Sequence, residues 1–168
     1  IQAGSAVYSW DGSSSFTQVG SCHPNSKLRG GREQNFILDD IAIITDLEKL
    51  TVVKQWNGSA FDDFPHNLST SLYAKYCRVN NERAIFGNVT SGTATPHVIL
   101  ASALSDDNTL TIANRPSSSL SAADPFYIPT PDLKPINGLE KAFGQFIIST
   151  DKGRLHVLSG SDATDFAL

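Results

Sequence analysis

Apolar and β-branched residues occur along the chain in short stretches that are separated by turn-forming residues. Three of the clearest stretches cover residues 36–45, 84–89 and 146–150. Stretches of this length that end at Gly, Asn, Asp or Pro are typical of β-strands. No sustained 3.6-residue periodicity indicates a long helix. The pattern therefore predicts an all-β chain that is built from hairpins.

The same pattern predicts the full set of strands and the segments that interrupt them. The predicted strands are residues 2–10, 16–19, 36–45, 50–56, 72–76, 84–89, 97–102, 109–112, 146–150 and 155–158. We expect a polar connection at residues 22–34, a loop at 90–96 and a helical turn at 139–143. Residues 115–132 are rich in Ser and Pro, and proline cannot donate to a strand ladder. These residues are therefore expected to form a long loop or an insertion.

A tryptophan motif occurs twice in the first part of the chain. Residues 7–13 and 53–59 share the pattern Val-x-x-Trp-(Asp/Asn)-Gly-Ser, which places Trp10 and Trp56 46 residues apart. Glycine after Asp or Asn supplies the positive φ that a tight hairpin needs. Each copy is therefore predicted to end a strand in a tight turn.

Two further similarities extend this repeat to the end of the chain. Residues 58–64 and 160–166 share the pattern Gly-Ser-x-x-x-Asp-Phe and begin 102 residues apart. Residues 43–59 and 147–161 both consist of Ile-Ile, a polar turn, an apolar strand and Gly-Ser. Recurrence of a unit of about 40–55 residues is roughly that of propeller blades. The sequence therefore predicts repeated β-meanders.

A single β-meander cannot bury both of its faces, so the repeated units are expected to pack against one another. This favours a propeller-like arrangement over a β-sandwich, which is the alternative. The 168 residues are interpreted as a single all-β domain or as a fragment of a larger propeller. The chain has no Met and starts at Ile1, which favours a processed protein or a piece of a longer polypeptide.

Composition narrows the classes of partner. Charged residues make up 18% of the chain and the formal net charge is −4, so there is no general electrostatic attraction to nucleic acid or to an anionic membrane. No apolar run approaches the roughly 20 residues that a membrane-spanning helix needs. We therefore expect neither a nucleic-acid-binding protein nor a membrane span.

Cysteines and glycosylation motifs do not decide whether the protein is secreted. Cys22 and Cys77 either form a disulfide or are two ordinary buried thiols, and they lack the spacing of a metal or redox motif. Sequons occur at Asn57, Asn67 and Asn88. In a chain so rich in Ser and Thr, such motifs also arise by chance, so they indicate secretion only weakly.

No residue pattern predicts an active site, a cofactor site or a metal site. Asp63 and Asp165 are expected to cap turns, and residues 106–108 are expected to form a turn rather than to bind calcium. A sialidase-type enzyme would need an arginine cluster and a Tyr–Glu pair, but the arginines are scattered and glutamates are few. The histidines, which show no metal-ligand spacing, are His23, His66, His97 and His156.

Two patterns that resemble functional motifs are interpreted as structural. Residues 149–153 read Ser-x-Asp-x-Gly and resemble the start of the Asp-box turn of sialidase-like propellers, in which Asp and Ser hydrogen-bond the turn. A group of aromatic residues is expected to fill the space between blades rather than to line a sugar-binding face. This group contains Trp10, Trp56, Phe61, Phe64, Tyr73 and Tyr76.

The stretch from residue 76 to residue 105 resembles propeller repeats in tail proteins of tailed bacteriophages. The resembling parts are a hairpin at residues 78–89 and a Pro-led strand at 96–102, followed by residues 124–128, 144–149 and 157–161. In style they are similar to the nozzle (tail tubular protein B) family and to related hub proteins. The resemblance covers residues 72–166.

This resemblance implies a non-enzymatic structural component of a virion tail. Such proteins form oligomers around the tail axis, close or guide the DNA channel and carry adhesive fibres. The implied partners are other virion tail proteins and further copies of the same chain, with residues 22–34 and 115–132 as contact loops. The chain is several times shorter than the family, so a channel-lining role is not carried over. The alternative is a secreted carbohydrate-binding β module, for which a host-surface glycan is the expected ligand.

Overall fold

The computed structural model describes residues 1–31, 42–66, 68–80, 83–102, 126–160 and 167–168. All regular secondary structure in these residues is β, which confirms the predicted all-β class. The strands are β1 (Gln2–Ala3), β2 (Ala6–Trp10), β3 (Phe16–Ser21), β4 (Leu28–Gly31), β5 (Ala42–Asp46), β6 (Lys54–Trp56), β7 (Phe61–Asp63), β8 (Tyr73–Asn80), β9 (Arg83–Ser91), β10 (Thr93–Ala101), β11 (Phe126–Pro129), β12 (Ile136–Ala142), β13 (Gln145–Thr150) and β14 (Leu155–Leu158). A helix long and apolar enough to span a membrane does not occur in the described ranges.

The strands form four antiparallel sheets that follow one another in chain order. Sheet 1 contains β1–β3, sheet 2 contains β4–β7, sheet 3 contains β8–β11 and sheet 4 contains β12–β14. Within every sheet each strand pairs with the next strand of the chain, so each sheet is a meander. The predicted repeated meanders are therefore present in the described residues.

The core lies on both sides of sheet 3. In β9 the side chains alternate, so Phe86 faces sheet 2 and packs in a cluster with Ile43. Ile85 faces the opposite way and packs with Leu139 and Ile148 of sheet 4. Sheet 3 is thus covered on both faces, and this explains why β9 is so rich in apolar and small residues.

Sheet 1 packs on sheet 2 through a glycine. A Cβ atom placed on Gly20 of β3 would lie 2.2 Å from Cδ1 of Phe61 in β7. Only a residue without a side chain allows this approach. The contact turns the face of sheet 1 that carries Val7, the residue paired with Gly20, toward sheet 2.

The Gly20 contact gives a testable prediction. Replacing Gly20 with Ala forces the Phe61 ring to move, and we expect the free energy of unfolding to fall by about 1–3 kcal/mol. Gly30 of β4 is the matched control, because a Cβ there meets nothing within 4 Å. Urea denaturation of both variants checks the prediction. Equal unfolding midpoints for the Gly20 and Gly30 variants would contradict the close packing.

Several predicted irregular segments are strands instead. The expectation that residues 115–132 lack ladder pairing is wrong for β11, which pairs with β10 through Ile99 and Ile128. Pro129 is tolerated because it ends a strand at the edge of sheet 3. The predicted polar connection at residues 22–34 is wrong in its middle, where β4 pairs with β5.

Two turns are also tighter than predicted. The prediction of a loop at residues 90–96 is wrong, because β9 continues to Ser91 and β10 begins at Thr93, with Gly92 at φ 68° between them. The helical turn at residues 139–143 is wrong as well. These residues continue β12 and then turn at Phe143 and Gly144, whose φ angles are 54° and 76°. Two consecutive positive φ values are the signature of a two-residue hairpin.

The remaining strand predictions divide between confirmed and undescribed segments. Residues 146–150 and 155–158 agree closely with β13 and β14, whereas of the predicted strand at 50–56 only the last part, β6, is observed. The strand predicted at residues 36–45 is confirmed for residues 42–45, and its first part lies outside the described residues. The strand predicted at residues 109–112 lies outside them too.

Candidate functional site

The two tryptophans occupy equivalent positions in neighbouring sheets. Trp10 is the last residue of β2 and pairs with Phe16, the first residue of β3. Trp56 is the last residue of β6 and pairs with Phe61, the first residue of β7. In both sheets these strands form the final hairpin of the meander. The repeat predicted from the tryptophan motif is therefore confirmed for sheets 1 and 2.

Polar residues of the motif build the two turns in the same way. Asp11 Oδ1 accepts from the backbone N–H and the hydroxyl of Ser13, at 2.8 and 2.9 Å. Asn57 Oδ1 accepts from the same two groups of Ser59, both at 3.0 Å. The glycine between them has φ 88° in the first turn and 92° in the second. The hydrogen bonds from Ser13 lower the pKa of Asp11, so this motif shapes hairpins rather than a reaction site.

A second repeated contact, which we call the entry lock, fixes the start of three sheets. In each one, a polar side chain ahead of the first strand meets the last residue of the second strand. The three pairs are Ser26 Oγ with Asp46 Oδ2 at 2.7 Å, Thr70 Oγ1 with Ser91 Oγ at 2.8 Å, and Thr150 Oγ1 with Asp132 Oδ2 at 2.8 Å. The sequence pattern did not reveal this contact, because the residue types differ from sheet to sheet.

Asp46 is the most heavily hydrogen-bonded side chain of these locks. It is buried, and its carboxylate accepts from the Ser26 hydroxyl and from the backbone N–H groups of Lys27, Glu48, Leu50 and Thr51 at 2.7–3.1 Å. Burial raises the pKa of Asp46, but the hydrogen bonds from Lys27 and Ser26 outweigh it and the net pKa is lowered. The carboxylate is therefore a structural anion that closes the β5–β6 turn.

Asp132 is the carboxylate of the entry lock in sheet 4. It lies ahead of the first strand, whereas Asp46 lies at the end of the second strand of its sheet. Its carboxylate accepts from the Thr150 hydroxyl at 2.8 Å and from the Lys134 N–H at 3.1 Å, and His156 Nε2 lies 3.6 Å away. Burial raises the pKa of Asp132, but the hydrogen bonds from Thr150 and Lys134 lower it to about 2.

These two carboxylates predict how stability depends on pH. A carboxyl whose pKa is lower in the folded protein contributes stability above its unfolded pKa, near 4, and loses it as pH falls through the folded value. We expect the urea midpoint to fall between about pH 4 and the Asp132 pKa of about 2. The pKa of His66 is lowered by burial, so a separate loss begins below pH 6.5. A midpoint that stays constant from pH 4 to pH 2 would contradict the assignment.

Asn88 connects sheet 3 to both of its neighbours. It is buried in β9 with φ 57°, and its Nδ2 donates to the Ile136 carbonyl of sheet 4 at 2.8 Å. Its Oδ1 accepts from Nζ of Lys49, in the β5–β6 turn of sheet 2, at 3.0 Å. Lys49 also donates to Thr90 Oγ1 at 2.9 Å. Burial, and to a smaller extent the charge of Lys75, lowers the pKa of Lys49. One amide thus joins three sheets.

Sheets 3 and 4 are also joined along their first strands. Arg78 of β8 makes a two-point ion pair with Glu140 of β12, with Nε–Oε2 at 3.2 Å and Nη2–Oε1 at 2.5 Å. The Tyr76 hydroxyl donates to the Asn137 carbonyl at 2.6 Å. These contacts lie beside the apolar cluster and fix the position of β12 against β8.

The outer faces of the first and last sheets are apolar and exposed. In sheet 1, Trp10 and Phe16 are 57% and 56% exposed, and their rings are stacked with centroids 6.3 Å apart. In sheet 4, Leu155 and Val157 of β14 are 70% and 45% exposed. Exposed apolar sheet faces of this kind are typical of interaction surfaces. They are the candidate functional site of the described chain.

The residues considered for catalysis lie in separate, mostly structural contacts. Asp63 forms an ion pair with Lys54 rather than the turn cap that we expected. Arg78 pairs with Glu140, and the buried Arg83 donates to the Ser102 carbonyl at 2.6 Å. Within the described ranges, no three His, Cys, Asp or Glu side chains come together in a way that could hold a metal ion.

Some of the sequence predictions concern residues outside the described ranges. They include Asp165, the sequon residue Asn67, the possible calcium ligands at 106–108 and residues 115–125 of the predicted Ser- and Pro-rich loop. Cys22 and Cys77 lie within the described ranges and are not joined in a disulfide, so the buried-thiol alternative fits better. Cys77 is buried in the core of sheet 3, and Cys22 is half-buried after β3.

The Asp-box and aromatic predictions are each confirmed only in part. Residues 149–153 do form the β13–β14 hairpin turn, but the Ser149 hydroxyl donates to Asn137 Oδ1 at 2.6 Å instead of to the turn. Phe64 fills space between sheets as expected, in an edge-to-face contact with Phe86 of sheet 3. Trp10 is the exception, because it lies on the open face of sheet 1.

Comparison with known proteins adds no relative to these observations. No protein-family model matches the chain, and no curated protein sequence matches it.

Proposed function

We propose that the four sheets are blades of a propeller-like scaffold and that the chain is a non-enzymatic structural component of a phage virion tail, of the nozzle or hub type. The observation that carries the proposal is a run of four meander sheets in chain order, each in contact with the next. Blades of a propeller have this connectivity. The scaffold acts through protein–protein contacts with other tail proteins.

Rigidity supports a scaffold role. The buried carboxylate of Asp46 holds a turn, Asn88 joins three sheets, and the Arg78–Glu140 pair fixes sheet 4 against sheet 3. A group that is saturated by internal hydrogen bonds is not available to transfer protons to a substrate. The carboxyls with a lowered pKa, Asp46 and Asp132, therefore favour a structural role over a catalytic one.

The assignment to a virion tail rests on the resembling residues and on the open end faces. The hairpin of the resemblance is formed by the end of β8 and by β9, and its Pro-led strand lies in β10. A tail component must bind neighbours on more than one side, and sheets 1 and 4 each present an apolar face. These features together favour a chain that is a component of a larger assembly.

Localisation tests this proposal directly. An antibody raised against the chain is used for immunogold electron microscopy of phage particles produced from the genome that encodes it, together with mass spectrometry of those particles. We expect gold label at the tail and peptides of the chain in stoichiometric amount. Peptides found only in the soluble fraction of infected cells, with unlabelled particles, would overturn the proposal.

A secreted carbohydrate-binding module is the second candidate, favoured by the exposed stacked pair of Trp10 and Phe16. Aromatic rings on a surface can pack against the apolar face of a sugar. The sequons favour it less, because Asn88 is buried and both ends of its side chain are hydrogen-bonded. A glycan array compares the chain with its Trp10→Ala variant. Signal that the variant loses supports this function, and a blank array removes it.

A further inference from the structure

The sheet 1–sheet 2 contact reveals what covers the tryptophan side of a meander. Phe61 of sheet 2 faces Gly20 of sheet 1, and Trp56 lies on the same face because it pairs directly with Phe61. In sheets 2, 3 and 4 we call the side that lies against the preceding sheet of the chain the front face and the opposite side the back face. In sheet 1 the back face lies against sheet 2, and the front face is the opposite side. The front face of sheet 2 is thus covered by the back face of sheet 1, which carries Val7 and Gly20.

The front face of sheet 1 has the same residues but no cover in the described part of the chain. Trp10 and Phe16 are the equivalents of Trp56 and Phe61, and they point away from Val7 because neighbouring residues of a strand alternate. Both rings are more than half exposed. A front face of the type that packs against a sheet elsewhere in the chain is therefore open here.

The back face of sheet 4 is open in the complementary way. Phe146 and Ile148 of β13 are buried against sheet 3, whereas Ile147 lies on the other side and pairs with the exposed Val157. Leu155 shares this side and is exposed as well. On the corresponding back face of sheet 3, residues such as Ile85 and Ile99 are completely buried by sheet 4.

We propose that the back face of sheet 4 packs on the front face of sheet 1 in a second copy of the chain. Back-to-front packing already joins sheets 1 and 2, 2 and 3, and 3 and 4, and the new contact continues this series. The two open faces are the two halves of the same contact. A contact between unlike faces of identical chains is heterologous, and it ends in a ring when the rotation closes.

Sheet number indicates how many copies close the ring. The described residues of each chain supply four sheets, and propellers usually contain about 4–8 blades. Two copies supply twice four sheets and reach the upper end of this range. Three copies would exceed it. We therefore infer a dimer in which the sheet 4–sheet 1 contact occurs twice, an inference that rests on the proposed scaffold function.

The solution mass of the purified chain is the first test. Sedimentation velocity over a hundredfold concentration range is expected to show a dimer for the unmodified chain. Leu155→Lys and Trp10→Ser alter the two opposite faces, and each is expected to weaken dimerisation at least tenfold. Phe143→Ser is the matched control, because Phe143 is fully exposed and lies in the β12–β13 turn, outside the strands that form the two faces.

Folding of every variant is verified by its circular dichroism spectrum and urea midpoint. Should Trp10→Ser unfold the first hairpin, Leu155→Lys still tests the contact from the other side. A chain that remains monomeric at all concentrations overturns the inference. The open faces of sheets 1 and 4 would then be contact surfaces for a different protein. Dimers that persist in both face variants overturn it as well.

Cross-linking tests which faces meet. In a Cys22→Ser background that keeps Trp10 and Leu155, one preparation carries Gln18→Cys and another carries Gln145→Cys, which are exposed positions on the front face of sheet 1 and the back face of sheet 4. A bismaleimide is added to each preparation alone and to their mixture. The inference expects covalent dimers in the mixture only. Dimers of either variant alone would indicate like-to-like contact and overturn it. A third preparation carries both cysteines on one chain, and a link within one molecule of it would show that the chain closes on itself, which also overturns the inference.

These results are distinguishable from those of the localisation experiment. A monomeric chain that is found in the tail overturns the head-to-tail contact and leaves the proposed function in place. A dimeric, correctly cross-linked chain that is absent from particles overturns the virion assignment and leaves the contact in place.

Discussion

Replacing Asp46 with Asn lowers the free energy of unfolding by about 3 kcal/mol, the largest loss that we expect from a single polar substitution. The side-chain shape is retained, but one carboxylate oxygen becomes an NH2 group that cannot accept. Whichever oxygen is replaced, at least two backbone N–H groups among those of Lys27, Glu48, Leu50 and Thr51 lose their acceptor. Hydrogen bonds to a charged acceptor contribute about 1.5–3 kcal/mol each, and buried donors without partners add a further cost.

Asp62→Asn is the matched control for the Asp46 substitution. Asp62 lies in β7 of the same sheet and is exposed, so the change in net charge is the same while no buried lock is altered. Urea denaturation at pH 7 measures both variants. If the Asp46 variant unfolds at the same urea concentration as the Asp62 variant, the carboxylate does not hold the turn.

Asn88→Ala is expected to destabilise the protein by about 2–3 kcal/mol. The substitution removes the bonds to the Ile136 carbonyl and from Lys49 Nζ, and it places Ala at φ 57°. A buried hydrogen bond contributes about 1 kcal/mol, and the left-handed backbone conformation costs Ala about 1–2 kcal/mol. Thermal and urea unfolding provide the measurement.

Comparison with Asn88→Gly separates the two contributions. Gly accepts the left-handed conformation, so this variant loses only the side-chain bonds and should be more stable than Asn88→Ala by about 1 kcal/mol. A Gly variant as stable as the unmodified protein would mean that the contacts to sheets 2 and 4 contribute nothing. The role of Asn88 in joining three sheets would then have to be abandoned.

Local sequence chemistry was sufficient to predict the class and the repeated hairpins. β-Branched stretches such as residues 146–150 identify their strands, and the Asp-Gly and Asn-Gly pairs identify the turns after Trp10 and Trp56. Predictions failed where pairing overrides local preference. Phe126–Pro129 reads as part of a Pro-rich loop, yet an edge position beside β10 accepts the proline.

The candidate site was less predictable, for two physical reasons. The entry lock repeats as a contact and not as a residue type, since the acid is at the strand end in Asp46 but ahead of the sheet in Asp132. The open faces depend on which sheet has a neighbour. Trp10 and Trp56 have the same local sequence, so only the three-dimensional arrangement distinguishes an exposed ring from a half-buried one.

The burial of sheet 3 on both faces has a consequence for the order in which the molecule opens. Amide hydrogens of β9 can exchange with solvent only after the contacts to both neighbouring sheets are lost, whereas those of the terminal sheets need the loss of one. Local unfolding should therefore begin at the two ends and reach the middle last. A partner that covers an end sheet would slow this fraying and extend protection outward, so assembly itself would stabilise the chain against proteases.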